Sequence, residues 1–108
     1  FIPAFEFLKM ATVNGAKAMG LNDADVLDVN KLADIIMIDL SKPNMQPLNN
    51  IVTNLVYAGS KDNVIMTMIN GKILYENGKY NINESIDDIY KAANAANERL
   101  EKAAKNEL

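Results

Sequence analysis

The chemistry open to this chain is limited first by two residue types it lacks, His and Cys. A typical zinc site draws almost all its ligands from those two, with an occasional carboxylate, and His is the usual general base near neutral pH. Triads of the Ser-His-Asp type are therefore closed to it. Four groups of other residues have types that do chemistry. Ser41-Lys42 and Ser60-Lys61 could form a Ser-Lys pair, but adjacent loop residues point apart and neither pair sits on a strained elbow, so both are read as turn residues. Gly15 and Gly20 have the spacing of phosphate-loop glycines, yet Leu21 and Asn22 stand where Lys and Ser or Thr are required. Gly20 is read as a helix stop and Gly15 as a close-packing position. Asp23, Asp25, Asp28 and Asp34 invite a hard cation, but a calcium loop from Asp23 needs a polar residue at Leu27 and Gly at Asp28, which leaves solvated turn acids. Asn83-Glu84-Ser85 fits a glycosylation acceptor and is read more simply as a helix cap. No catalytic, metal-binding or substrate-binding residue is assigned.

Any site would have to be held by about one small domain, since the chain has 108 residues. Its 49% apolar and 23% charged residues are the mixture of a folded globular protein. The net charge of −3 and pI near 4.8 supply no positive field for a phosphate backbone, so no nucleic-acid partner is expected. No apolar run approaches the roughly 20 residues of a membrane span, and Phe1-Ile2-Pro3-Ala4 does not open a signal peptide. Absence of Cys points to a reduced, cytoplasmic setting. Without an initiator Met, the chain is read as a segment whose beginning lies elsewhere.

Hydrophobic spacing predicts a helix over residues 3–10, with Pro3 in its first turn and Phe5, Leu8 and Ala11 on one side. A second helix, capped by Thr12, should run to Met19 and stop at Gly20, with Leu21 packing back. Residues 33–40 read as a buried strand, and residues 41–54, which hold Pro43, Pro47 and Asn49-Asn50, as a loop. Leu55-Val56-Tyr57 reads as a short strand. Residues 64–69 and 72–76 form a hairpin through Asn70-Gly71, a type I′ turn pair, and Asn77-Gly78 ends it. Ser85-Ile86-Asp87-Asp88 resembles a capping box before a helix with Ile86, Ile89, Tyr90, Ala93, Ala96 and Leu100 along one side. Acids lead that helix and Arg99, Lys102 and Lys105 trail, matching its dipole. The expected class is α+β: helix pair, small antiparallel sheet, long C-terminal helix.

Residues 10–21, Met-Ala-Thr-Val-Asn-Gly-Ala-Lys-Ala-Met-Gly-Leu, and residues 31–39, Lys-Leu-Ala-Asp-Ile-Ile-Met-Ile-Asp, resemble the end of amidohydrolase-superfamily enzymes. The usual form there is A-T-x-N-G-A-x-A-L-G-L and then G-x-L-E-x-G-K-x-A-D-x-x-x-x-D. Pro47, Asn49-Asn50 and Leu55-Val56-Tyr57-Ala58 are similar to the group of 5-methylthioadenosine/S-adenosylhomocysteine deaminases and chlorohydrolases, and residues 64–72 to its closing hairpin. Asp25 and Asn30 depart from the pattern, standing where the family usually has Gly. Both tolerate left-handed backbone better than most residues, so the turns should survive at modest cost.

The resemblance implies a (β/α)₈ barrel holding one divalent metal, often zinc, whose His and Asp ligands all lie upstream of the residues present. It implies three parts: residues 1–22 as the end of the barrel, residues 23–80 as part of a small composite β-sandwich, and residues 81–108 as a C-terminal helix. The chain would then be a non-catalytic segment of a hydrolytic deaminase or chlorohydrolase acting on a purine-like or related nitrogen heterocycle. Its partners would be the rest of that enzyme, or a second copy when isolated, because unmatched strands leave edges and apolar surface open. The alternative is a stand-alone sandwich module for interaction or oligomerisation. An autonomous enzyme using carboxylates alone would need two converging acids, and no pair advertises that.

Overall fold

The computed structural model describes residues 1–107 and has the expected α+β class. Helix α1 (Ala4–Ala11) is followed almost directly by α2 (Val13–Ala18). Thr12 separates them differently from the sequence reading. It makes no side-chain cap for α2, and its hydroxyl instead donates to the Leu8 carbonyl at 2.7 Å, closing α1. Gly20, at φ 74°, stops α2 as expected. The Leu21 amide donates to the Ala16 carbonyl at 2.8 Å, the six-to-one bond that satisfies a helix-end carbonyl once glycine has turned left-handed. Gly15 keeps its close-packing role, because an added Cβ would lie 2.8 Å from the Met10 carbonyl oxygen.

Four strands form one antiparallel sheet in chain order: β1 (Ile35–Ile38), β2 (Val64–Ile69), β3 (Lys72–Glu76) and β4 (Lys79–Tyr80). Asn70 and Gly71 both take positive φ, as a type I′ turn requires, and β2 and β3 fall on the predicted residues. Asn77-Gly78 does more than end that hairpin. Its φ angles of 48° and 85° make a second such turn into β4, bringing Tyr80 across from Tyr75 with ring centroids 5.0 Å apart.

Between β1 and β2 the chain departs from expectation. Residues 55–57, read as a strand, lie inside helix α3 (Ile51–Ala58). Asn50, read as a helix-resisting residue, caps that helix by accepting the Thr53 amide at 3.0 Å. Val52, Leu55 and Val56 are its half-buried residues, a helical spacing that the β-branched run concealed. Part of the predicted loop is also a 3₁₀ turn, Pro43–Met45, which packs on α3, as does α1. Met45 is fully buried there, and with Met66 of β2 makes up the buried apolar core among the described residues.

Helix α4 (Ile86–Glu107) begins where Ser85 accepts the Asp88 amide at 3.3 Å, half of the expected capping box. Its stripe is only partly covered. Ile86, Ile89 and Ala96 are half-buried, whereas Tyr90 is 60% and Leu100 70% exposed.

Candidate functional site

Each residue group able to do chemistry is held by its own element, and the fold keeps the groups apart. The segment from β1 to β2 is organised by Asn63, which is 1% exposed. Its Oδ1 accepts the Ser60 amide at 2.9 Å and the Asn44 amide group at 2.7 Å, while its Nδ2 donates to the Asp39 carbonyl and to Asn44 Oδ1, each at 3.2 Å. Asn44 also donates to the Ala58 carbonyl at 2.9 Å, and Asn54 to the carbonyls of Met45 and Pro47. A buried amide is favourable only when its donors and acceptors find partners, and here both ends of Asn63 do.

Both Ser-Lys pairs belong to this scaffold. Ser41 donates its hydroxyl to Asp39 Oδ1 at 2.6 Å, and its amide reaches the same atom at 2.8 Å. These two bonds hold the Asp39 carboxyl below the ordinary carboxylate range. Lys42 turns away to donate to the Asp62 carbonyl. Ser60 caps the short turn Lys61–Asn63, with Asn63 completing a capping box. Lys42, Asn44, Ser60, Lys61, Asp62 and Tyr75 line one open groove, but no Lys ammonium is directed at a Ser hydroxyl there.

The four acids are spread as well. Asp28 Oδ1 accepts the Val29 amide at 2.7 Å, and Asp34 Oδ1 accepts the Asn70 amide at 2.8 Å, tying the hairpin tip to the start of β1. Among the described residues no three metal-ligating side chains of His, Cys, Asp or Glu converge, so the donor set does not fit a zinc ion.

The two departures from the family's glycines resolve differently. Asn30 adopts φ 66°, the left-handed conformation expected of it, whereas Asp25 is not among the positive-φ residues. Asp25 instead pairs with Lys31 at 2.8 Å, and Lys31 also donates to the Asn22 carbonyl at 2.6 Å. The Asp25 Oδ1 atom is closed to solvent and has the ammonium as its counter-group. The hydrogen bond and charge of Lys31 lower the Asp25 pKa, and Asp25 raises that of Lys31. The pair's stabilisation is therefore present between the ordinary values of 3.8 and 10.5. It is lost as pH falls through the depressed Asp25 value, or rises through the elevated Lys31 value. In a Lys31→Met chain the Asp25 carboxyl is expected to titrate upward toward 3.8, read by following its carboxyl carbon by NMR; an unmoved titration would show that Lys31 is not the cause.

What the fold does assemble is surface. The chain exposes 8564 Å², whereas a compact protein of 11.9 kDa exposes about 5,900 Å², an excess of roughly 2,600 Å². Its radius of gyration is 18.6 Å, against about 13 Å for a compact chain of this length. The exposed residues include Phe5, Phe7 and Met10 on α1, and Ile36 and Met37 on β1. Ile36 and Met37 are adjacent strand residues, so they point to opposite faces, and both faces of this edge strand carry apolar surface.

The model for the amidohydrolase family matches residues 2–74. A 5-methylthioadenosine/S-adenosylhomocysteine deaminase of Desulfovibrio desulfuricans is 51% identical over 79 residues, covering 73% of this chain and 18% of the relative. A 5'-deoxyadenosine deaminase of Methanosarcina acetivorans is 37% identical over 102 residues, covering 94% of this chain and 23% of the relative. The chain thus spans about a fifth of the length of these relatives. Among solved structures, an adenosine deaminase from Xanthomonas campestris with bound zinc superposes with a TM-score of 0.85 at 29% identity, over 93% of this chain and 23% of that one. The zinc-complexed atrazine chlorohydrolase of Arthrobacter aurescens gives 0.77 at 26% identity, over 88% and 21%.

Proposed function

We propose, from the premise that this chain belongs to the amidohydrolase family, that it is a non-catalytic segment which docks onto the rest of a metal-dependent hydrolase. The parent is a cytoplasmic enzyme that adds water to a purine-like or related nitrogen heterocycle and releases the displaced group, ammonia in a deamination. This substrate class follows the names of the relatives, and the metal follows the zinc in the neighbouring structures. The metal ligands would lie outside residues 1–107, whose donor set does not fit zinc. Residues 1–22 would complete the barrel, residues 23–80 would supply strands to a composite sandwich, and residues 81–108 would end the enzyme as a helix.

The observation that carries this reading is the excess surface. About 2,600 Å² is the size of the larger, permanent interfaces between protein partners, and here it is distributed over α1 and both faces of β1. A chain this short has little other means of covering it. In isolation it would self-associate through the sheet.

Two readouts on the purified chain test the proposal. With zinc supplied and 5'-deoxyadenosine or methylthioadenosine as substrate, ammonia release is expected to stay at the blank rate; turnover above it would overturn the non-catalytic assignment. In sedimentation, the mass is expected to exceed the 11.9 kDa monomer as concentration rises, and Ile36→Lys is expected to lower it. A monomer at all concentrations would remove the docking argument.

A further inference from the structure

Helix α4 lies beyond the residues matched by the family model and has no extended packing against any other described element. Its 22 residues span roughly 33 Å. An isolated helix of that length is only marginally stable in water, so its apolar side calls for a partner. The apolar positions have a strict three-four spacing: Ile86, Ile89, Ala93, Ala96, Leu100 and Ala103. That is a two-position heptad seam, narrower than the stripe of a helix lying on a globular core.

We propose that α4 pairs with the α4 of a second copy, the two helices running antiparallel. Two features of the helix select this occupant and this direction. The first is side-chain size. Run antiparallel about a centre between Asn94 and Ala95, the seam sets Ile86 against Ala103 of the second copy, Ile89 against its Leu100, and Ala93 against its Ala96. Large residues are thereby spread over the layers. In a parallel pair Ile would meet Ile at both leading layers and Leu would meet Leu near the other end, with Ala layers between, and the helix separation would have to vary along the seam.

The second feature is charge. Asp87 and Asp88 lie at the start of α4, and Arg99, Lys102 and Lys105 near its end. None of the five forms an ion pair among the described residues. Antiparallel pairing brings Asp87 level with Lys102 of the second copy and Lys91 level with its Glu98, twice over by symmetry. It also opposes the two helix dipoles. The one like-charge level, Asp88 with Glu101, has Lys105 one turn away. Parallel pairing would gather all the leading acids at one end and all the trailing bases at the other.

The chain has no Cys, which permits a clean cross-linking test on the full chain. Two variants, Ile89→Cys and Leu100→Cys, are prepared separately and oxidised by a glutathione redox pair, alone and as an equal mixture. In the antiparallel pair residue 89 faces residue 100 across the seam, whereas the two copies of residue 100 are about 16 Å apart along it, too far for a disulfide. The mixture is expected to give at least fivefold more mixed disulfide dimer than either variant gives with itself. It should also exceed, by a similar factor, a mixture of Lys91→Cys and Glu98→Cys, whose positions lie outside the seam. Equal or greater cross-linking by Leu100→Cys alone would show a parallel seam, and equal cross-linking by the outside pair would show no seam; either overturns the proposal. Far-ultraviolet circular dichroism of each variant confirms that α4 is still formed. Adding Ile36→Lys to both seam variants separates this contact from association through the sheet, and the fivefold preference is expected to persist.

Discussion

An Asn63→Ala chain is expected to lose about 3–5 kcal/mol of stability, because removing the amide strands three partners at once. The Ser60 amide loses its acceptor, the Asp39 carbonyl loses a donor, and Asn44 loses both bonds of its reciprocal pair. Each of these groups faces a site from which water is excluded, since Asn63 is only 1% exposed. The midpoint of urea unfolding measures the loss. Hydrogen exchange at the Asp39 amide, which donates to the Asn63 carbonyl at 2.7 Å, locates it. Asn63→Asp keeps the acceptor for Ser60 but sets carboxylate oxygen against the Asp39 carbonyl and Asn44 Oδ1, so it is not expected to rescue. A loss under about 0.5 kcal/mol would mean that the buried amide is replaceable by water and does not organise the segment.

Met45→Ala is expected to cost about 2–4 kcal/mol, the range for truncating a long side chain in a site that cannot collapse. Met45 is 0% exposed, beneath α3 and the turn that carries it. With so small a buried core elsewhere, the loss is a large fraction of the whole stability. Met45→Leu nearly conserves volume and should cost less than about 1.5 kcal/mol. Thermal unfolding of both variants checks the contrast. Equal losses would mean that sulfur chemistry or flexibility, and not filled volume, is what the site requires.

How much of this was legible in the sequence depends on whether the deciding interactions are local. The hairpin at Asn70-Gly71 was readable because two residues that accept positive φ fix the turn wherever it occurs. The stop at Gly20 was readable for the same reason. Residues 55–57 misled because Leu-Val-Tyr is rich in strand formers, and intrinsic preference lost to the Asn50 cap and to packing against α1 and Met45. The signal was present in Asn50 followed by the spacing Val52, Leu55, Val56. Asn63 was not legible at all. Its partners lie 3, 19 and 24 positions away, and nothing in the sequence distinguishes it from a solvated turn residue. The pair of Asp25 with Lys31 was hidden behind the question of whether a left-handed turn survives. The dispersal of the chemical groups was legible in part, since it follows from which residue types are missing.

The same asparagine clasp has a kinetic consequence. Three of the four strands are joined by two-residue turns, so β2, β3 and β4 can zip together on the time scale of hairpin formation, about microseconds. Strand β1 joins only after the chain has left the sheet at Asp39 and come back at Asn63, 24 positions later. Closing such a loop costs roughly 3 kcal/mol of chain entropy, and β1 offers only four residues of pairing to offset it. The clasp meets that cost inside the excursion itself, because the bonds from Asn63 to Asp39, Asn44 and Ser60 close the loop at its base before the β1 ladder forms. Its assembly is the slow step of this sheet, and a chain that cannot form the clasp presents a complete hairpin with an unfinished edge.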